Sequence, residues 1–226
     1  MSKLQEFYLG NTLINFLVQE FSLREISFIH LHENEQTAVE AALKCKDKMQ
    51  GKFAQLQFEG SRNICLTLED ERIEFDPNRI FTEAGVVKTL EEFNSYSEKA
   101  AQFVVDFGMQ IASNFIDQRD LVISIHNNTA HGDCSIAHYE LGQDVEAIHT
   151  SENRHADDFF FVTEAAFFDF FKKEDFNVVL QGAKPSDDGS LSVYCGARKI
   201  PYINIEAQHG HLDEQVEMLL KVTDIL

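Results

Sequence analysis

Short apolar runs separated by polar segments predict β-strands along most of this chain. Runs of about four to eight residues favour strands when they are bounded by turn-forming residues. By this criterion we predict strands at residues 26–32, 53–58, 64–68, 121–126, 178–181, 191–195 and 202–206. The runs at 53–58 and 64–68 flank Gly60 and Ser61, so we expect them to form a β-hairpin.

Helical spacing of apolar residues predicts helices between several of these strands. Residues 37–49 place apolar side chains opposite a lysine-rich face, which indicates an amphipathic helix. The same spacing predicts a long helix at 89–115, a Phe-rich helix at 165–173 and a last helix at 213–226. Strands that alternate with helices are typical of an α/β protein. We therefore predict a single domain over residues 1–226, an α/β three-layer sandwich with a mixed central sheet.

Two polar stretches lack either periodicity and are predicted to be surface loops. They cover residues 142–158, which are acidic, and residues 182–190. Loops often close active sites, although most are solvated connections. The pattern leaves open whether either loop borders a binding site.

The net charge argues against several classes of partner. The chain of 226 residues has a formal charge of −19 and a pI of about 4.7, which disfavours nucleic acids and anionic membrane surfaces.

The chain has no run of about 18 apolar residues, and its first residues lack the pattern of a secretory signal. Its four cysteines are scattered and typical of reduced thiols, so we expect a cytoplasmic protein. The pattern predicts no particular oligomeric state.

Side chains that bind metals or move protons stand where predicted strands end. His32 and Glu35 form an H-x-x-E pair after one strand, His126 ends another, and Glu206 ends the last. In open α/β sheets, sites form outside the carboxyl ends of strands, and two His with one Glu are a ligand set of catalytic zinc. H-x-x-E pairs also arise by chance in a chain with nine His and 38 acidic residues, so spacing alone leaves a structural role open.

A turn at residues 76–79, Asp-Pro-Asn-Arg, offers groups that recognise carboxylates. Asp, Pro and Asn are turn-forming residues, so one interpretation is a turn with a surface arginine. Asn78 and Arg79 also present an amide beside a planar guanidinium, which suits bidentate binding of a carboxylate. Arg72, on the short run into the same turn, supplies another cation.

Four short motifs occur in order: His-Glu-Asn-Glu at 32–35, Asp-Pro-Asn-Arg-Ile-Phe at 76–81, His-Asn-Asn-Thr at 126–129 and Ile-Glu-Ala at 205–207. They resemble the H-G-N-E, D-x-N-R-x-F, H-N-x-T and general-base segments of the aspartoacylase and succinylglutamate desuccinylase family, relatives of the zinc carboxypeptidases. The resemblance spans residues 32–206, nearly the whole chain. It implies a zinc-carboxypeptidase-like fold with zinc as its cofactor.

The resemblance also implies roles for the matched residues. His32, Glu35 and His126 would be the zinc ligands, and Glu206 would be the general base. Arg72 would stabilise the oxyanion, and Asn78 with Arg79 would bind the substrate carboxylate. The implied activity is zinc-dependent hydrolysis of an amide bond next to a carboxylate, in an N-acyl amino acid or related small amide. A metallocarboxypeptidase that removes the C-terminal residue of a peptide is one alternative. A non-catalytic metal- or carboxylate-binding protein on the same fold is the other.

This chain departs from the family pattern in several places. Glu33 replaces the glycine after the first His, where it would place an extra carboxylate beside the metal, and Ala38 replaces a second glycine. Only 20 residues follow Glu206 (226 minus 206), so we expect no extra C-terminal β-domain and more room for a substrate such as a peptide. Seven further polar residues have no assigned role at this stage: His30, His131, His138, His209, His211, Tyr194 and Arg198.

Overall fold

A nine-stranded mixed sheet forms the centre of the protein. The computed structural model describes residues 2–68, 70–130 and 134–226. The strands in this part of the chain are β1 (Ser2–Leu9), β2 (Thr12–Glu20), β3 (Ile26–His30), β4 (Lys52–Gln57), β5 (Ile64–Leu68), β6 (Glu71–Phe75), β7 (Leu121–Asn128), β8 (Val145–His149), β9 (Phe159–Val162), β10 (Val178–Gln181) and β11 (Tyr202–Gln208). The main sheet has the order β1-β2-β4-β3-β7-β11-β9-β10-β8, and β5 and β6 form a separate antiparallel pair.

The middle of the sheet is parallel, which determines where a site can form. Strands β4, β3, β7 and β11 run in the same direction. Antiparallel pairing begins on one side with β2 against β4 and on the other with β9 against β11. The carboxyl ends of β3, β7 and β11 therefore meet at one edge of the sheet, where sites of open α/β sheets form.

Helices cover both faces of the sheet. The α-helices of the described residues are α1 (Gln36–Cys45), α2 (Glu83–Glu92), α3 (Glu98–Phe115), α4 (Ala165–Lys173), α5 (Leu191–Arg198) and α6 (Leu212–Thr223). One apolar core joins α2, α3 and α5 to the sheet, and another joins α1, α4 and α6 to the opposite face. Successive strand residues alternate between the two cores: Val122 packs in the first, and Ile123 in the second. The predicted α/β three-layer sandwich with a mixed sheet is thus confirmed. Within the described chain, no helix combines the length and apolar content needed to cross a bilayer.

Residues 191–195 begin a helix and do not form the predicted strand. Leu191, Tyr194 and Cys195 are buried on one face of α5, at positions i, i+3 and i+4. A short apolar run does not by itself distinguish a strand from a buried helical turn. The strand prediction was wrong because it rested on the length of the apolar run and did not consider the helical spacing of Leu191, Tyr194 and Cys195.

The predicted hairpin of residues 53–58 with 64–68 is also wrong. Strand β4 pairs with β2 and β3 in the main sheet, whereas β5 pairs with β6. Glu59 and Gly60 have φ angles of 53° and 72°, and at these residues the chain leaves the main sheet. The segment between β4 and β5 is therefore a loop that crosses from one sheet to the other.

The predicted helix at 89–115 is two helices, α2 and α3. Asn94 has a φ of 53°, and the Ser97 side chain accepts a hydrogen bond from the amide of Ala100 at 3.1 Å, which caps the start of α3. The predicted loop at 142–158 contains strand β8, and the sequence prediction missed β1 and β2.

Candidate active site

The ends of β3 and β7 bring His32, Glu35 and His126 together. The Oε1 atom of Glu35 lies 2.8 Å from His32 Nδ1, and its Oε2 atom lies 3.0 Å from His126 Nδ1. The two Nδ1 atoms are 3.1 Å apart. All three side chains are at most 3% exposed. The structure thus brings together the three residues that the sequence predicts as metal ligands.

The chemistry of this donor set fits zinc. Two imidazole nitrogens and a carboxylate face one small volume, and three such ligands leave a zinc position open for water or substrate. His32 Nε2 lies 2.8 Å from Asp76 Oδ1, and a carboxylate on the far nitrogen of a ligating His orients its ring. Asp76 was not predicted to take part, although the resemblance included its motif.

The cluster combines buried charges of opposite sign. Burial lowers the pKa of His32, but Glu35 and Asp76 outweigh it and raise that pKa to about 9. Burial also disfavours ionised Glu35, yet the two imidazoles hold the pKa of this carboxyl well below its usual range. The carboxylate is therefore ionised at neutral pH, and a metal ion would displace the proton from His32, because metal ligands bind in their deprotonated form.

Arg62, and not Arg72, is the arginine at this cluster. Arg62 Nη1 lies 2.7 Å from Glu35 Oε1, and Nη2 lies 3.5 Å from Asp76 Oδ2. Arg72 lies on β6, where its 68% exposed side chain pairs with Glu74 at 2.9 Å. The structure does not bring Arg72 to the cluster, because β6 belongs to the small separate sheet. Arg62 lies in the loop between β4 and β5, which the sequence interpretation took for a hairpin turn.

A buried hydrogen-bond chain positions Glu206. In the parallel register of β7 and β11, Glu206 lies opposite His126, and Asn204 lies opposite Ser124. The Ser124 hydroxyl lies 2.7 Å from Asn204 Oδ1, and Asn204 Nδ2 donates to Glu206 Oε1 at 3.0 Å. The Tyr202 hydroxyl, 2.6 Å from the Ser124 hydroxyl, completes the chain. Burial raises the pKa of Glu206, which suits a group that accepts and returns a proton near neutral pH.

A cavity of about 520 Å³ opens beside Glu206 and includes Asn78 and Arg79 in its wall. The backbone amide of Asn78 donates to Asp76 Oδ1 at 2.7 Å, so the turn is held by the carboxylate that also contacts His32. The Arg79 guanidinium lies 3.5 Å from Asp188 Oδ2, and the side chain is 38% exposed. It lines the cavity, and a guanidinium has more N–H donors than this one contact uses. The two residues predicted to bind a carboxylate and the predicted base therefore line one cavity.

Both predicted loops contribute to the wall of this cavity. Asp144 and Val145 come from the 142–158 stretch, and Ser186 and Asp188 come from the 182–190 stretch. The Ser186 amide donates to Asp144 Oδ1 at 2.5 Å, which joins the two loops at the rim. The question that the sequence left open is answered for both stretches, since each borders the cavity.

A close backbone contact fixes the 182–190 loop against the start of α2. A Cβ atom built on Gly85 would lie 2.2 Å from the Cα of Gly189 and 2.6 Å from the carbonyl oxygen of Arg79. Gly189 has a φ of 77°, and its carbonyl accepts a hydrogen bond from Phe81 at 3.1 Å. Only glycine fits at either position, and the contact holds the loop directly against the backbone of Arg79.

Glu33, which stands where the family pattern has a glycine, is hydrogen-bonded to the loop after β4 and not to the candidate metal ligands. Its Oε2 atom accepts hydrogen bonds from the amides of Phe58 at 2.5 Å and Gly60 at 2.7 Å. The expectation of an extra carboxylate beside the metal is therefore wrong. Glu33 instead ties residues 32–35 to the loop that carries Arg62. At the other substituted glycine, Ala38 is buried and its amide donates to Asn127 Oδ1 at 2.8 Å.

Other polar residues without an assigned role occupy different positions. His30 is buried behind the cluster with Nε2 at 3.1 Å from the Glu35 carbonyl, and burial lowers its pKa to about 4. His138 lines the 520 Å³ cavity, and His131 lies outside the described residues. Tyr194 donates to Asp117 at 2.9 Å and stacks under Arg198 at 3.6 Å, and both residues line a separate cavity.

Comparison with known proteins identifies the fold. No family model and no curated protein sequence matches the chain. Among solved structures, the ectoine utilization protein EutE (DoeB) from Ruegeria pomeroyi superposes with a TM-score of 0.53 and 10% identity, over 98% of this chain and 65% of that one. A succinylglutamate desuccinylase/aspartoacylase from Rhodobacter sphaeroides gives a TM-score of 0.50 and 10% identity, over 100% of this chain and 65% of that one.

Thrombin-activatable fibrinolysis inhibitor is a third similar structure, with a TM-score of 0.51 and 12% identity, over 100% of this chain and 68% of that one. At such low identities the comparison establishes the fold alone, which this chain shares with these three proteins. The fold predicted from the resemblance is confirmed. Hydrolases are among the proteins that share it.

Proposed function

We propose that this protein is a zinc-dependent hydrolase that cleaves an amide bond next to a free carboxylate. The observation that carries the proposal is the convergence of three chemical parts. Glu206, a buried carboxylate, lies opposite one imidazole of the buried His–Glu–His cluster and lines one cavity together with an Asn–Arg pair. Each part has a distinct task in amide hydrolysis, and a protein that only binds carboxylates does not need Glu206.

His32, Glu35 and His126 would hold the zinc ion. When bound, zinc supplies Lewis acidity, which lowers the pKa of a coordinated water and polarises a carbonyl group. Glu206 takes a proton from the water and returns it to the leaving nitrogen. Arg62 takes the oxyanion-stabilising role that the resemblance implied for Arg72, because its guanidinium is the one beside the cluster.

Asn78 and Arg79 hold the substrate carboxylate and so set the distance from the scissile bond to the metal site. A planar guanidinium and an amide match the geometry of a carboxylate. The negative field of a chain with a charge of −19 opposes binding of an anion, so a local cation is required.

An N-acyl amino acid or related small amide is the substrate class that the cavity favours. Its volume of about 520 Å³ is within the usual range for small-molecule sites. The alternative substrate is the C-terminal residue of a peptide, which presents the same amide and carboxylate. A metal- or carboxylate-binding protein without turnover is the alternative of a different class.

Metal analysis followed by a substrate panel tests the proposal. The purified protein is analysed for zinc, and release of free amine is measured from N-acyl amino acids, from short peptides and from matched substrates with amidated carboxyl groups. Zinc with turnover of the free acids supports a hydrolase, and the preferred substrate distinguishes acylase from carboxypeptidase. Zinc without any turnover would support the binding protein.

A further inference from the structure

A second group of metal-ligating side chains lies outside the candidate active site. His155, Asp158 and His211 each place one ligand atom within 4.8 Å of the others. They line a cavity of about 360 Å³ that shares no lining residue with the cavity beside Glu206. This second cluster comes from the loop before β9 and from the residue that precedes α6.

The second cluster repeats the spacing of the first. A His and a carboxylate stand three residues apart, His155 with Asp158, as do His32 and Glu35, and a distant His completes each set. The spacing alone carries little weight, because such pairs are common. In this case, however, the distant His reaches the pair: His211 Nδ1 lies 2.9 Å from Asp158 Oδ2, and the rings of His155 and His211 meet edge to face at 5.0 Å.

Asp158 is held as a metal-binding carboxylate usually is. Its side chain is only 4% exposed, and its Oδ1 atom accepts a hydrogen bond from the Gln208 amide at 2.9 Å. That bond holds the carboxylate in place, and His211 Nδ1 lies 3.0 Å from the same Oδ1 atom and 2.9 Å from Oδ2. Second contacts of this kind orient ligands in protein metal sites.

The charges around the cluster favour a cation. The neighbouring Arg154 pairs with Glu217 through two contacts of 2.6 and 2.8 Å and lies 4.0 Å from the ring of Phe176. Its positive charge is thereby largely neutralised, and the acidic Glu214 also lines the cavity. The His155 side chain is 53% exposed and that of His211 is 26% exposed, so an ion reaches both from solvent.

We infer that His155, Asp158 and His211 form a second metal site, open to solvent, for a divalent transition-metal ion of the zinc type. Two imidazoles favour zinc, copper or nickel, whereas magnesium and calcium require more oxygen ligands than one carboxylate supplies. Asp158 contacts the end of β11 through Gln208, and the Asp157 carbonyl accepts from Asn128 Nδ2 at 2.7 Å. An ion at this site therefore ties the loop to the ends of β7 and β11, so its role is structural.

Zinc stoichiometry tests this inference. The wild-type protein and the variants H155A, H211A and H209A are dialysed to equilibrium against zinc chloride, and the bound metal is measured by elemental analysis. His209 is the matched control, since it lies in the same segment as His211 but outside the cluster. We expect H155A and H211A to bind about one zinc ion fewer than the wild type, and H209A to bind the same amount.

Equal zinc content in all four proteins would overturn the inference and leave Asp158 and His211 as an ion pair at the start of α6. H155A carries the test if H211A does not fold, because the His155 side chain is more than half exposed and its loss leaves no buried gap. The result is independent of the proposed function, since the difference is counted above whatever the first cluster binds. Absorption of the cobalt-substituted proteins gives a second measurement, and the d–d bands assigned to the second site should be missing in H155A.

Discussion

The two His–His–carboxylate clusters contain similar ligands and differ in what surrounds them. Around the first, Asp76 holds one imidazole, Arg62 contacts the carboxylate, and Glu206 lies opposite the other imidazole. In the second cluster, Asp158 is buried, whereas the imidazoles of His155 and His211 are both accessible to solvent. Ligand type and spacing are therefore poor guides to function. Burial of the imidazoles and an adjacent carboxylate, Glu206, distinguish the proposed catalytic site from the proposed structural one.

The largest expected effect follows from replacing Glu206. The substitution E206Q keeps the hydrogen bond from Asn204 but removes proton transfer, so kcat should fall by a factor of about 10²–10⁴ while zinc content stays the same. The exposed Glu40 of α1 gives the control E40Q, which should leave kcat unchanged. Activity that survives in E206Q would assign the base to another residue and remove the main difference between the clusters.

The two arginines provide the next comparison. If Arg62 stabilises the oxyanion, R62A should lower kcat by a factor of about 10²–10³, and R72A should have little effect, because Arg72 pairs with Glu74 on an exposed strand. Steady-state kinetics of both variants on one substrate decide between them. A large loss in R72A with normal activity in R62A would restore the assignment made from the sequence.

Arg79 should determine recognition of the carboxylate. A charge-assisted hydrogen bond contributes about 1.5–3 kcal/mol, so R79A should lower kcat/KM for free acids by about 10- to 150-fold. Amidated analogues should lose much less, and R79K should recover only part of the loss because an ammonium lacks the planar fork. The measurement requires constant salt, since screening changes the background repulsion. An equal loss for acids and amides would make Arg79 structural.

The smallest effect concerns the contact between Asp76 and His32. The substitution D76N keeps an oxygen that caps the turn but removes the negative charge beside the imidazole. Zinc affinity, measured by competition with a chelator, should fall about 10- to 100-fold. The exposed Asp47 gives the control D47N. Unchanged affinity in D76N would show that the buried cluster binds metal without support from Asp76.

The sequence predicted that the three candidate ligands converge, because each stands at or near the end of a predicted strand, and topology brings such ends together. It missed Arg62, because a residue in the six-residue loop 58–63 between two sheets has no periodicity to place it. It also missed the chain of Ser124, Asn204 and Glu206, although alternate polar positions on two buried strands were visible. Only the register of β7 with β11, which depends on tertiary packing, shows that they face each other.

The fold shows the same limits. Strand β2 buries Ile14, Phe16 and Val18 in strict alternation, so its signal was present in the sequence and was overlooked. The two helices within 89–115 could not be separated by apolar spacing, because both bury one face against the same core. Their boundary depends on the N-cap at Ser97 and on the left-handed backbone conformation of Asn94, and the spacing of apolar residues indicates neither.

The contact of Gly85 with Gly189 has a thermodynamic consequence. Because the two backbones touch there and both lie against the Arg79 carbonyl, the loop beside the proposed carboxylate-binding pair is held in place without a ligand. Binding then requires little additional loss of loop entropy, and more of the interaction energy becomes affinity. Two residues without side chains thus help to set the binding strength of the proposed site, although they supply it with no side-chain group.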